Sequence, residues 1–358
     1  MARKKGGGGG RQRARQRAQY DELDKYPVMP PHAFARIVRD KQTLNIIYQI
    51  IEPPLTKKEQ EQRDEIMDIF IRSLTANIDE IDSNPEAYVR TAMDKVIKSY
   101  SMKINKKSKS KLFYYLRRDL IGYGKMDVLM NDVNVEDVSL DGTNVPIFAY
   151  HRKFESVETT CVWETDEELE SYVIKLAQRC GKHISVAEPL LDATLMDGSR
   201  IVMKLGHEIS TRGSAFCIRR FKDDPFSPAD IVAFRTMSSL MVAYLWIAFQ
   251  NEVPMLFVGG TASGKTTTLN AMCIFIPWQM KIVSIESTRE VNIPQPNWVP
   301  GLTRQGFGGE NDEGVIGEFE LLKAALRERP EYIIVGEIRG AEAYVLFQAM
   351  ATGHCAYS

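Results

Sequence analysis

Residues Val258 to Thr267 read VGGTASGKTT, closing the apolar run MLFV (255–258) and opening a helical pattern, TTLNAM (267–272). The spacing Gly259-x-x-x-x-Gly264-Lys265-Thr266 is that of a phosphate-binding loop. Glycines let the backbone bend until successive N–H groups converge on a β-phosphate, and the helix that follows adds the positive end of its dipole. Lys265 can then span the β- and γ-phosphates while the Thr266 hydroxyl ligates Mg²⁺. Gly259, Gly260, Thr261, Ala262, Ser263, Gly264, Lys265, Thr266 and Thr267 are therefore the expected nucleotide-binding residues, with ATP and Mg²⁺ as the expected ligands.

Outward from the loop the pattern is an alternation of strands and helices. Ser227, Pro228 and Asp230 form a helix start, with Ser227 as cap and Pro228 at the first position. The helix they open is expected to run to about residue 250, and its segment Leu240–Phe249 reads as a buried helix rather than a membrane span. After the loop come KIVSIE (281–286) as a strand, a long loop, a helix from Glu318 to Arg327, EYIIVGE (331–337) as a strand and a helix from Glu342 to Met350. Such an alternation predicts a parallel sheet with crossover helices. In such a sheet the strands deliver residues at their C-terminal ends, beside the phosphate loop. Glu337 and Glu286 each end a strand. Either alone suits a helix cap or an ion pair; together, after a phosphate loop, they point to work on a metal or an attacking water.

The N-terminal half is organised differently. Residues 1–32 are expected to be a disordered basic tail, since 1–20 carry seven Lys or Arg, no acid and five consecutive glycines. Such a tail suits anionic lipid, nucleic acid or plain solubilisation. Residues 33–125 read as a mostly helical region. A strand-like run at 43–51 precedes the capping box Thr56-x-x-Glu59, which opens a helix with Ile66, Ile69, Phe70, Leu74 and Ile78 at helical spacing. A second helix fits 85–99, and KINKKSKSK (103–111) reads as a solvated connection or a basic groove. Residues 126–222 show short strands and turns. A strand at Val135 closes on Asp141-Gly142, a helix from Asp166 to Cys180 stops at Gly181, and Asp197-Gly198-Ser199 makes a hairpin turn. Residues 223–230 are a linker to the ATPase-like region, 231–358.

Composition narrows the function classes. The chain has 358 residues, 44% hydrophobic and 26% charged, with net charge −1. The tail's excess of seven leaves −8 for the remainder, which argues against a nucleic-acid groove. The five cysteines, Cys161, Cys180, Cys217, Cys273 and Cys355, form no C-x-x-C pair, against a zinc site and a disulfide framework. A soluble, reduced, intracellular protein is expected.

Four motifs together carry a family resemblance. GGTASGKTTTLNA, IVSIESTRE, IIVGEIRG and ATGHCAYS resemble the phosphate loop, acidic box, Walker B variant and His box of secretion-type ATPases of type II secretion, type IV pilus and archaellum assembly. PQPNWVPGLTRQGF (294–307) and LLKAALRERP (321–330) look like the archaeal branch. The resemblance runs from about residue 35 to the end. It implies a RecA-like ATPase domain of α/β class preceded by a helical segment and a PAS-like α+β domain, a hexamer, and a cytoplasmic location at the inner face of the cell membrane. The implied partner is a polytopic membrane platform protein that inserts or extracts pilin subunits, with no nucleic acid. Carried over residue by residue, Glu337 becomes the catalytic glutamate and Glu286 a second acid at the metal or water. His354 becomes a γ-phosphate sensor, and Arg200, Arg212 and Arg219 are candidates to reach the phosphates. Surface ion pairing is the competing role for each of these arginines.

Two departures bear on activity. The family's acidic box carries Glu-Asp where this chain has Glu286-Ser287, and a serine brings no negative charge to a metal-bound water. The chain also stops at Ser358, inside the His box, so the RecA-like domain is expected to be incomplete. An unpaired sheet edge, slow hydrolysis and poor assembly follow from that expectation. Two rival functions remain: a nucleic-acid or conjugation motor, and a nucleotide-binding fragment without efficient hydrolysis.

Overall fold

Strand β2 (Ala33–Asp40) forms where small and β-branched residues alternate with polar ones, burying Ala33, Ala35 and Ile37 while Arg39 stays in solvent. The computed structural model describes residues 19–73, 84–221, 225–260, 263–304, 314–338, 340, 342–351 and 353–358. They divide into two compact units, one running to Leu191 with Ile201–Arg220, the other comprising Asp192–Arg200 with Phe221–Ser358.

The first unit holds most of a nine-stranded mixed sheet, of which residues 192–194 and Arg200 are grouped with the second unit. The sheet's other strands are β1 (Tyr20–Met29), β3 (Ile46–Ile51), β4 (Val135–Leu140), β5 (Pro146–His151), β6 (Glu155–Val162), β7 (Leu190–Thr194), β8 (Arg200–Lys204) and β9 (Ala215–Arg219). The order is β1-β2-β3-β6-β5-β4-β9-β8-β7. Three helices, α1 (Lys57–Ser73), α2 (Pro85–Ser99) and α3 (Lys106–Leu120), share a core of Ile66, Phe70, Val89, Met93, Val96, Leu112 and Leu116. A short α4 (Asp127–Asn131) and α5 (Asp166–Arg179) complete the unit's helices among the described residues.

The second unit opens with α6 (Pro228–Ala233) and α7 (Ser239–Gln250). After the phosphate loop come α8 (Lys265–Met272), β10 (Ile282–Glu286), β11 (Trp298–Leu302), α9 (Glu318–Ala325), β12 (Tyr332–Val335), α10 (Glu342–Ala351) and β13 (Cys355–Tyr357). The strands are parallel in the order β11-β10-β12-β13. Residues 255–257 extend the sheet beyond β13, with Met255 N–H donating to Ala356 O at 3.2 Å and Phe257 N–H to Ser358 O at 2.7 Å. Alternate residues of one strand feed two different cores. Ile282, Tyr332 and Ile334 pack with Phe249, Leu269 and Met272, while Val283, Ile285, Ile333 and Val335 pack with Leu322 and Leu346. Burial on both faces is why these strands read as unbroken apolar runs.

Several expectations need correction. The tail does not extend to residue 32: Tyr20–Met29 pairs antiparallel with Ala33–Asp40, a strand hidden in the sequence because much of its surface stays polar and part-exposed. Residues 33–125 begin with two strands, and their sheet continues through the expected boundary at 126, because β3 pairs parallel with β6. The charge run 103–111 is mostly helix: Asn105 caps α3 by accepting the Ser108 N–H at 2.8 Å, and Leu112, Tyr115 and Leu116 anchor its inner face. Leu74 and Ile78 of the first helical pattern lie outside the described residues.

In the second unit the expected helix to residue 250 is two helices, broken where Arg235 takes φ +60° and Ser238 caps anew by accepting the Met241 N–H. Its segment 240–249 is not buried throughout: Val242, Ala248 and Phe249 are buried, whereas Leu240, Tyr244 and Ile247 are exposed. A strand, β11, sits inside the expected long loop. Cys355–Tyr357 is a fully buried interior strand, so the open edge falls instead on 255–258, where Val258 is 91% exposed.

Candidate nucleotide-binding site

The phosphate loop leaves residues 255–257 at the C-terminal edge of the parallel sheet and turns into α8. Gly264 enters the helix at φ +85°, the left-handed region that glycine occupies without strain. A Cβ on Gly259 would meet Ser263 Oγ at 2.6 Å, so a side chain there would turn that hydroxyl away from the Gly260 carbonyl. Helix α8 starts with no side-chain cap, so its first N–H groups are left to a ligand. The Lys265 ammonium donates to the Gly260 carbonyl at 2.7 Å, and Ser263 Oγ donates to the same oxygen at 2.8 Å. Lys265 is thereby folded back on its own loop, close to where a phosphate oxygen would replace that carbonyl. Thr266 is half-buried and Thr267 exposed in the helix's first turn; Thr261 and Ala262 lie outside the described residues.

Two acids stand at the same edge. Ile285 and Val335 are register partners on β10 and β12, so Glu286 and Gly336-Glu337 leave neighbouring strands together. Glu337 is half-buried. Glu286 is only 2% exposed, and its Oε1 accepts the N–H groups of Glu290 and Val291, each at 2.8 Å. Its other oxygen has no hydrogen-bond partner among the described residues. Burial pushes the Glu286 carboxyl up to about 7; the two N–H donors oppose the shift, Glu290 adds to it and Arg289 pulls it back. Gly336 explains the fit, because a Cβ there would come within 3.1 Å of Glu286 Cγ. The glycine that replaces the usual Walker B acid thus makes room for the neighbouring strand's glutamate. Ser287 is exposed.

The remaining candidates separate. Arg200 belongs to the same unit as the loop. It pairs with Asp192 at 2.5 Å, and its pKa is raised by that pair first and then by the charges of Glu337 and Glu290. Arg212 and Arg219 belong to the other unit, and Arg219 pairs with Asp137 at 3.3 Å. His354 precedes β13 and so sits at that strand's N-terminal end, whereas the loop and both acids leave the sheet at its C-terminal ends. The structure therefore does not bring His354 to the phosphate edge. Motif order in the sequence does not say which end of a strand a residue occupies; the parallel pairing of 255–257 with β13 does.

Arg289 was not singled out by the sequence. Its guanidinium lies 5.7 Å from the Phe221 ring centre and 5.4 Å from that of Trp298, and its Nε has no hydrogen-bond partner among the described residues. The only signal for it was its place in the acidic-box segment.

For ATP and Mg²⁺ the donor set is suitable: an uncapped helix start, Lys265, the Thr266 hydroxyl, two carboxylates and a buried, unpartnered Glu286 oxygen that a metal-bound water would satisfy. Among the described residues no group of three His, Cys, Asp or Glu forms a metal cage, and no helix is long and apolar enough to cross a membrane.

The family described as Type II/IV secretion system protein matches residues 157–358. An uncharacterized protein of Methanocaldococcus jannaschii is 37% identical over 334 residues, covering 92% of this chain and 59% of that protein. The chain thus spans about three fifths of the length of that relative. The type IV secretion system protein PtlH of Bordetella pertussis is 41% identical over 112 residues, 31% of this chain and 32% of that one. Among solved structures, the Legionella pneumophila ATPase DotB matches with TM-score 0.43 and 20% identity over 65% of this chain and 64% of its own.

Proposed function

The chain belongs to the Type II/IV secretion system protein family, and on that premise we propose that it is an ATP-hydrolysing motor subunit. It would pass movement to a polytopic membrane platform protein that assembles or secretes a type IV pilus-like filament, working as a hexamer at the inner face of the cell membrane. The observation that supports this best is the meeting of Lys265, Thr266, Glu286 and Glu337 at one edge of a parallel sheet.

On binding ATP, Lys265 exchanges the Gly260 carbonyl for phosphate oxygens, and the first N–H groups of α8 donate to the remaining phosphate oxygens. Glu337 orients or deprotonates the attacking water. Glu286 holds the backbone of Glu290 and Val291 with one oxygen, and its other oxygen would be the one to help hold bound Mg²⁺. Arg200, already within the field of Glu337, supplies positive charge to the phosphates. Bound Mg²⁺ would neutralise charge on the β- and γ-oxygens, held by Thr266 with Glu286 and Glu337.

A second reading, nucleotide binding without efficient hydrolysis, is favoured by the exposed Ser287 and by the engagement of Glu286 on backbone. Binding of a fluorescent ATP analogue and phosphate release, measured on one preparation, separate the two. The motor reading expects both, with Lys265→Ala weakening binding by about 100-fold through loss of charge-assisted hydrogen bonds. Binding without release supports the second reading. Stimulation of release by DNA would instead favour a nucleic-acid motor.

A further inference from the structure

A concentration of positive charge stands in the first unit, at the corner where α2 turns into α3. Residues 84–111 hold eight basic and two acidic residues in a chain of net charge −1. Lys95 and Lys98 end α2, Lys103 lies in the connection, and Lys106 and Lys107 open α3; all five are exposed, and no acid occurs between positions 95 and 107. Two acids beside these lysines are committed to other partners: Asp94 to Lys109 at 2.7 Å, and Glu59 to Ser108 at 2.6 Å and Lys111 at 3.4 Å. Among the described residues none of the five lysines has an ion-pair partner. Tyr100 stands in their midst, 59% exposed.

We propose that this corner is a docking surface for an anionic membrane, with the lysines on phospholipid phosphates and the Tyr100 ring at the headgroup level. Three features carry it. The turn is a fixed scaffold: Met102 N–H donates to Ile97 O at 3.0 Å, Gln62 Nε2 to Lys103 O at 3.4 Å, and Asn105 caps α3. Two of the lysines run against the fold's own electrostatics: Lys106 and Lys107 sit at the positive end of the α3 dipole, where cations are disfavoured, whereas Lys98 suits the last turn of α2. An exposed ring carrying a polar tip, surrounded by lysines, is the composition that partitions to an anionic interface. A single-stranded nucleic acid would want several successive stacking rings, and among the described residues 84–111 Tyr100 is the exposed aromatic. Nothing in the inference depends on nucleotide hydrolysis.

The test is co-sedimentation of the full chain, and of a chain lacking residues 1–18, with vesicles of phosphatidylcholine with and without phosphatidylglycerol at low salt. Both chains should bind only the anionic vesicles. At about fivefold per lysine, Lys98→Gln, Lys103→Gln and Lys106→Gln together should weaken partitioning by about 100-fold, with ATP binding unchanged. Tyr100→Ser should weaken it while leaving the salt dependence intact. Equal partitioning of the triple variant, equal binding to neutral vesicles, or tighter binding to a single-stranded oligonucleotide than to anionic vesicles would overturn the proposal.

Discussion

Glu337 and Glu286 leave adjacent strands, yet their surroundings differ, and the difference predicts different losses. Glu337 is half-buried beside Arg200's field, whereas Glu286 is sealed in and bonded to two backbone N–H groups. Glu337→Gln should therefore retain ATP binding and lower hydrolysis by about 100-fold, the scale of a lost base or water-orienting group; single-turnover assays distinguish this from weaker binding. Glu286 makes a stability prediction as well. Its carboxyl is raised to about 7 from 4.5, so the folded state favours the protonated form. That contribution is fully present below about pH 4.5 and is lost as the pH rises through 7. Glu286→Gln, which cannot ionise, should remove a loss of ~3 kcal/mol between those pH values. Urea midpoints for the two proteins at pH 5 and pH 8 check it, and parallel curves would show that Glu286 is ionised throughout.

At the scale of elements, local capping chemistry explains both successes and failures of the sequence reading. Thr56 and Glu59 bond reciprocally, Thr56 N–H to Glu59 Oε2 at 2.8 Å and Glu59 N–H to Thr56 Oγ1 at 3.3 Å. Ser227 and Asp230 do the same. These boxes were legible because their partners are three residues apart. Helix α3 was not, because its outer turns are nearly all lysine and its reason for being helical lies in Leu112 and Leu116 meeting α1 and α2. Its cap is still worth having. Asn105→Ala should cost about 1 kcal/mol and raise amide exchange first in residues 106–109; unchanged exchange there would mean that packing alone holds the turn.

At the scale of the whole molecule, the first unit closes around a buried carboxylate. Asp132 accepts the hydroxyls of Tyr26 at 2.6 Å and Tyr48 at 2.7 Å, tying β1 and β3 to the turn before β4, while Tyr26 also meets His151 at 2.9 Å. Asp132→Ala leaves two phenols short of an acceptor, a loss of about 2–4 kcal/mol. Two compact units are expected to melt as two transitions. Asp132→Ala should lower one of them, and ATP should raise the other, since a ligand stabilises only the unit that binds it. Calorimetry with both perturbations checks this, and a single transition moved by each would show one cooperative body.

What the sequence determined by itself is the chemistry that acts over short distances along the chain. The phosphate loop, the helix caps, the hairpin at Gly198 and the buried strands of the parallel sheet all follow from spacing, periodicity or backbone freedom within about ten residues. Tertiary structure decided what depends on partners distant in sequence. Tyr20–Met29 is a strand because Ala33–Asp40 and Asp132 hold it. Cys355–Tyr357 is interior because residues 255–257 lie along it, which also puts His354 at the far end of the sheet. Arg200 was separated from Arg212 and Arg219 only by the unit each joins. The physical reason is common to all three: hydrogen bonds between strands and fields between charges are set by distance in space, and the order of residues along a chain does not contain that distance.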